Sequence, residues 1–204
     1  MPRVLSKTDI TDFRDRLCDA AETVFAEQGL EAVTMRHLAN ELRVSPMTPY
    51  RYFDDKEAIL AAVRARAFDR HADALERSFE DSAGDLGQRA RATARAYIQF
   101  ALDNPHAYKL MFDIRQANGE DYPDYVRAAE RSQRTMTRHL LEMKRAGIFN
   151  GDVDLAGHMY WAALHGPIML HMSGMLPPQF DAMRLAEALV AALDKSMPFS
   201  TAKT

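Results

Sequence analysis

The chain has 204 residues, 47% of them hydrophobic, which suits one large or two small globular domains with a buried core. The formal net charge of −3 does not indicate a nucleic-acid partner, and the single cysteine, Cys18, excludes an internal disulfide framework. The N-terminus has no apolar signal segment, and the most apolar stretch, Met159–Leu176, is interrupted by Gly, Pro and His. We therefore expect a cytoplasmic protein that does not span a membrane.

Apolar residues recur at helical spacing along the chain, and alternating strand patterns are absent. We predict an all-α fold of about nine helices, beginning near residues 8, 34, 46, 54, 85, 105, 123, 153 and 178. The fourth opens with Asp54 and Glu57 as a capping box and extends to about Glu80, and Asn118–Gly119 is predicted to lie in a loop. The last two helices are predicted to span about 153–175 and 178–196.

Residues 34–52 have the spacing of a helix-turn-helix. Thr34 can cap a first helix, a two-residue connection follows at 43–44, and Ser45–Pro46 can open a second helix that ends at Tyr52. The second helix carries types that suit a DNA surface, since hydroxyls reach phosphates, arginine reaches guanine or phosphate, and methyl groups contact thymine. Its candidate side chains are Met47, Thr48, Tyr50, Arg51 and Tyr52.

Bulk charge does not support this interpretation. Residues 1–57 carry eight Lys or Arg and eleven Asp or Glu, although residues 34–56 carry four basic and three acidic side chains. The DNA interpretation therefore rests on geometry, and an ordinary tight helical corner remains the alternative.

Residues 13–60 resemble the DNA-binding domain of the TetR family of transcriptional regulators. The segments that carry the resemblance are Leu17–Ala21, Val24–Leu30, Thr34–Ala39, Val44–Phe53 and Asp55–Leu60. Several separate elements agree in order and spacing, which makes the match specific. The resemblance implies a sequence-specific regulator, expected to be a repressor, that reads double-stranded DNA at a near-palindromic operator and is released from it by a small-molecule effector.

By this resemblance, Thr34 and Arg36 border the DNA, and Lys56 contacts a phosphate. Base and phosphate contacts are implied for Ser45, Met47, Thr48, Tyr50, Arg51 and Tyr52. Two positions depart from the family pattern. Arg43 replaces the usual glycine of the turn, so we expect a strained turn, and Pro49 stands inside the second helix, where it crowds the carbonyl of Ser45.

We place domain boundaries at residues 1–54 for the helix-turn-helix domain, 55–83 for a connecting helix, and 84–204 for an effector-binding and dimerisation domain. Within the last of these, Asn104–Phe112 and Trp161–Gly174 resemble the "WHG" class of TetR C-terminal domains. Aromatic and Met side chains there could line an apolar pocket for a small, largely apolar effector, with ordinary core as the alternative. The candidates are Tyr97, Tyr108, Met111, Phe112, Met136, His139, Trp161, His165 and Met169.

The last two helices are apolar on more than one side, which favours a homodimer through a four-helix bundle or, alternatively, a helix buried in one monomer. Asp154, His158 and His165 have a spacing that a metal could use, but no ligand motif supports a metal, and we predict no cofactor. The absence of nucleophile, phosphate-loop and dinucleotide motifs favours a non-enzyme. A ligand-binding protein without a regulatory role and a helical enzyme remain alternative functions.

Overall fold

The computed structural model describes residues 6–112 and 122–199, and the loop predicted at Asn118–Gly119 lies outside them. The described residues form an all-α fold, which confirms the predicted fold class. The eight α-helices are α1 (Lys7–Gln28), α2 (Met35–Glu41), α3 (Lys56–Asp81), α4 (Leu86–Asp103), α5 (Pro105–Met111), α6 (Pro123–Arg145), α7 (Val153–Met172) and α8 (Ala182–Ser196). Two short 3₁₀ helices span Leu30–Ala32 and Pro49–Arg51. None of the described helices combines the length and apolarity that a membrane crossing requires.

The chain divides into two compact units, Met1–Phe68 with His106–Ala128, and Asp69–Pro105 with Ala129–Thr204. Helices α3 and α6 each begin in the first unit and end in the second. The core of the first unit is formed by the apolar stripe of α1, by α2 and by the start of α3, and Leu110 of α5 packs against it. Its fully buried members include Leu17, Leu38, Ile59 and Leu110.

Side-chain caps set several helix starts. Ser6 and Asp9 form a capping box on α1, and Asp85 and Gln88 form one on α4, which begins near the predicted residue 85. The capping box predicted at the start of α3 is wrong. Asp55, rather than Asp54, directly precedes the first residue of α3. The carboxylate of Asp55 accepts the Ala58 N–H at 2.8 Å and so caps the helix.

The predicted second helix of the helix-turn-helix, residues 46–52, is not an α-helix. Pro49 has no N–H to donate to the Ser45 carbonyl, and the Thr48 N–H donates to that carbonyl instead, at 2.8 Å. The segment therefore forms a turn followed by the 3₁₀ helix, in which Pro49 takes a first-turn position that tolerates proline. For this reason there is one α-helix fewer than the nine predicted.

The last two helices are shorter than predicted. α7 ends at Met172, three residues early, because Gly174 takes a left-handed conformation with φ 70°. α8 begins at Ala182 rather than at Pro178, because Asp181 provides the cap and accepts the Met183 N–H at 2.7 Å.

The second unit packs α4, α7 and α8 against the second half of α6. Gly157 of α7 lies against Thr137 of α6, so closely that an added Cβ would lie 2.6 Å from the Thr137 methyl group. His71 of α3 is buried, and its Nδ1 lies 2.8 Å from the Ser132 hydroxyl. Burial lowers the pKa of His71 to about 3, so the imidazole is neutral.

Candidate nucleic-acid interface and effector cavity

The turn between the two helical segments of residues 34–52 is built on Arg43. After α2 the Arg43 backbone takes the left-handed conformation, with φ 54°, and it is the single non-glycine residue with positive φ among the described residues. Its N–H donates to the Asn40 carbonyl at 3.0 Å, and the Val44 N–H donates to the Ala39 carbonyl at 2.9 Å. These two bonds form a Schellman motif, which satisfies the last carbonyls of α2. An L-residue thus occupies a position that favours glycine.

Six of the side chains predicted to contact DNA are exposed to solvent. Met47 is 67% exposed and Tyr50 is 49% exposed. The others are Thr34, Arg36, Ser45 and Arg51. Within residues 6–112 and 122–199 neither Arg36 nor Arg51 forms an ion pair, so both guanidinium groups are available to an anionic partner.

Three of the predicted DNA residues also hold the local fold. The Thr34 hydroxyl accepts the His37 N–H at 3.1 Å and caps α2. The Tyr52 ring packs on Phe13 of α1 with centroids 4.5 Å apart. Lys56 donates to the Leu30 carbonyl at 2.9 Å, and an ammonium retains two further N–H donors.

The contacts around Tyr52 fix the exposed segment on α1. Arg14 of α1 donates to the Tyr52 carbonyl, and its guanidinium lies 3.9 Å from the centre of the Phe53 ring. Pro49 is buried, and Thr48 is half-buried. The segment therefore presents Met47, Tyr50 and Arg51 from a rigid support, which is the arrangement that base readout requires.

The second unit contains a cavity of about 360 Å³. It lies between α4, α6, α7 and α8, and Phe199 lies at one side. Most of its lining is aliphatic, including Ala90, Leu140, Leu164 and Val190. The volume falls in the lower part of the range of ligand pockets, roughly 300–1,000 Å³.

Polar groups of the cavity meet at Asp194. The Tyr160 hydroxyl donates to one Asp194 oxygen at 2.6 Å. The nearest guanidinium nitrogen of Arg91 lies 4.0 Å from the other oxygen. Burial and the neighbouring carboxylate raise the pKa of Tyr160, so its hydroxyl stays protonated.

His139 also lines the cavity. Its Nδ1 is buried and has no hydrogen-bond partner within the described part of the chain. Burial lowers the pKa of His139 to about 4, although the carboxylates of Asp194 and Glu142 act in the opposite direction. The imidazole is therefore neutral at physiological pH.

The nine predicted effector residues are in different places. Met136 and His139 line the cavity. Tyr108, Met111 and Phe112 belong to the first unit, where Tyr108 and Met111 are buried. The other four belong to the second unit; they are Tyr97, Trp161, His165 and Met169.

An aromatic contact chain joins three of those four. The indole N–H of Trp161 donates to the hydroxyl of the buried Tyr97 at 2.9 Å, and the ring centres of Trp161 and His165 are 5.7 Å apart. Burial lowers the pKa of His165. Met169 is exposed, at the surface of α7.

Sequence reasoning missed Tyr160, Leu164 and Asp194. A signal existed for Asp194, because it lies four residues after Val190 and therefore on the same side of α8. The possible metal ligands do not converge. His158 Nδ1 lies 2.7 Å from the Asp154 carbonyl, and no group of three or more His, Cys, Asp or Glu suited to a metal occurs among the described residues.

These features define a helix-turn-helix DNA-binding protein with a second, cavity-containing helical unit. Residues 17–63 match the family model described as bacterial regulatory proteins, tetR family. Residues 90–193, half of the chain, match the model described as tetracyclin repressor-like, C-terminal domain. The chain belongs to the TetR family, and it is a DNA-binding transcriptional regulator.

Relatives agree with this assignment. An uncharacterised HTH-type transcriptional regulator of Mycobacterium tuberculosis is 26% identical over 163 residues, which cover 80% of this chain and 72% of the relative. The HTH-type transcriptional repressor KstR2 of Mycolicibacterium smegmatis is 26% identical over 146 residues, 70% of each chain.

Solved structures have the same fold. A protein of unknown function from Rhodococcus sp. RHA1 has a TM-score of 0.81 and 28% identity, with 97% of this chain and 99% of that chain covered. The fatty acid degradation regulator FadR from Bacillus halodurans has a TM-score of 0.69 at 20% identity, with 94% and 96% covered, and this likeness concerns the fold alone.

Proposed function

We propose that the protein is a homodimeric repressor that binds a near-palindromic operator and leaves it when a small effector occupies the cavity of the second unit. The observation that carries the proposal is the exposed set of Met47, Tyr50 and Arg51 on a rigid helix-turn-helix. The repressor KstR2 is similar to this chain over 70% of its length, which supports repression as the direction of regulation.

In this proposal Arg51 and Tyr50 read base edges or phosphates in the major groove, and Met47 contacts thymine methyl groups. Arg36, at the start of α2, and the free donors of Lys56 bind the phosphate backbone. The two roles differ in their consequences, because base contacts provide sequence specificity and phosphate contacts provide salt-dependent affinity.

The surface of α7 and α8 supports the homodimer. Leu155 is 61% exposed, and Met159, Met169 and Leu189 are also exposed apolar side chains. On α7, the apolar side chains of Leu155, Met159 and Met169 form one stripe with Ala162 and Gly166, at spacings of three and four residues. An added Cβ at Gly166 would meet nothing within 4 Å. A second copy packing the same two helices would cover this stripe at the close distance that small residues allow.

Effector control then requires two states of the dimer with different spacings of the recognition segments. An operator with half-sites about 34–36 Å apart selects one spacing, and an effector that prefers the other state releases the DNA. Helix α3 is the proposed connection, because its residues 56–68 belong to the first unit and its residues 69–81 belong to the second. Linkage requires that DNA weaken effector binding by the same factor.

The test is selection of bound sequences from a random duplex pool, followed by affinity measurements on the selected operator. We expect an inverted repeat. Arg51→Ala should weaken operator binding by about 1–3 kcal/mol and relax specificity at one base pair of each half-site. The matched control is Arg145→Ala, which removes an exposed arginine from the end of α6 and should leave the affinity unchanged. Enrichment of no sequence, or equal affinities for the two variants, would contradict the proposal.

A further inference from the structure

We propose that the cavity of the second unit binds a cationic amphiphile, an apolar molecule with a protonated amine that donates to the Asp194 carboxylate. This inference rests on the proposed function, because it names the chemical class of the effector. The observation behind it is a carboxylate with unused acceptor capacity in the wall of a largely apolar cavity.

Tyr160 contacts both His139 and Asp194 in the wall of the cavity. The rings of His139 and Tyr160 are in edge contact, with centroids 6.1 Å apart, and the Tyr160 hydroxyl donates to Asp194 at 2.6 Å. Tyr160 supplies only one hydrogen bond to Asp194, and an ionised carboxylate accepts about four. Asp194 therefore retains acceptor capacity toward a ligand.

The charge around the cavity selects the sign of the ligand. Asp194 and Asp85 contribute negative charges and Arg91 one positive charge, while His139 is neutral. Arg91 is 4.0 Å from Asp194 and 61% exposed, so it neutralises that carboxylate weakly. A carboxylate ligand would meet Asp194 without a buried cation to compensate, whereas an ammonium group would complete the pair.

An amine also suits the hydrogen-bond acceptor and the aromatic lining of this cavity. An ammonium group has three donors and no acceptor, which suits a carboxylate that accepts hydrogen bonds. Tyr160 and Phe199 both line the cavity, and aromatic rings attract cations. The aliphatic lining of Leu140, Leu164 and Val190 is left for the alkyl or aromatic body of the ligand.

The experiment compares three probes with the same alkyl chain, decylamine, decanol and decanoate. Binding to the full-length protein is measured by calorimetry, with each probe below its micelle-forming concentration. We expect decylamine to bind at least tenfold more tightly than decanol, and decanoate to bind more weakly than either. Decanoate or decanol binding as tightly as decylamine, or no binding of decylamine, would overturn the proposal.

Variants of α8 identify the carboxylate. Asp194→Asn keeps an acceptor for Tyr160 but removes the charge, and it should weaken decylamine binding at least tenfold while changing decanol binding less than twofold. The matched control is Glu187→Gln, which removes a carboxylate that pairs with Arg95 at 2.8 Å outside this cavity and should change neither affinity. Equal losses of decylamine affinity in both variants would mean a general charge effect and would overturn the assignment of the site to Asp194.

Operator binding separates this inference from the proposed function. If decylamine binds through Asp194 but does not weaken operator affinity, the ligand class is correct and the release mechanism is wrong. If decylamine fails to bind while the operator is still recognised, the ligand class is wrong and DNA-binding regulation stands.

Discussion

Replacing Arg43 with glycine should stabilise the protein. Arg43 holds the turn after α2 in the left-handed conformation, with φ 54°, and its side chain is exposed. An L-residue in this conformation costs roughly 1–2 kcal/mol. Glycine removes that cost but loses about 0.5–1 kcal/mol through the greater freedom of the unfolded chain. We therefore expect Arg43→Gly to raise the free energy of unfolding by about 0.5–1 kcal/mol.

The assay is urea unfolding at one fixed protein concentration, because the proposed dimer would make stability depend on concentration. Arg43→Ala is the matched control, since it removes the guanidinium but keeps the Cβ that causes the strain. We expect it to lie within about 0.5 kcal/mol of the wild type. If Arg43→Gly is no more stable than Arg43→Ala, the left-handed backbone is not the source of the strain and the reasoning is refuted.

Two further predictions concern the second unit. His71 has a pKa of about 3 when folded, against about 6.5 when unfolded. The unfolded chain thus binds an extra proton between these values, and the unfolding free energy should fall with decreasing pH below about 6.5, by up to about 1.4 kcal/mol per pH unit. His71→Phe should flatten this slope in urea titrations between pH 7 and pH 5, and an unchanged slope would exclude His71 as its source. Gly157→Ala should destabilise the protein by about 1–3 kcal/mol, because its Cβ would overlap the Thr137 methyl group and the overlap outweighs the gain in helix propensity. Adding Thr137→Ser, which removes that methyl group, should recover most of the loss in a double-mutant cycle, whereas simple additivity of the two changes would contradict a contact between them.

Local sequence signals are sufficient for much of this fold. The spacing of apolar residues predicted helices, and short-range caps such as Asp85 with Gln88 marked where they begin, because both depend on residues a few positions apart. The helix-turn-helix could be located from Thr34 and the two-residue turn for the same reason. The exposed position of Arg36 also follows from a helical pattern that leaves it outside the apolar stripe.

Local signals were weaker where two rules competed. Ser45–Pro46 favoured a helix start, whereas Pro49, which has no N–H, opposed helix continuation, and the structure follows Pro49. The packing of Tyr52 against Phe13 cannot be read from nearby residues, because Phe13 lies far away in the chain.

Only the tertiary structure determines which residues line the cavity. Aromatic and Met residues occur on every helix of the second half of the chain, so composition could not separate Met136 and His139, which line the cavity, from Tyr97, which is buried against Trp161. Asp194 acquires its role from Tyr160 on another helix. A helical sequence specifies which face of each helix is apolar, but the meeting of particular faces depends on how side chains from distant positions fill the space between them.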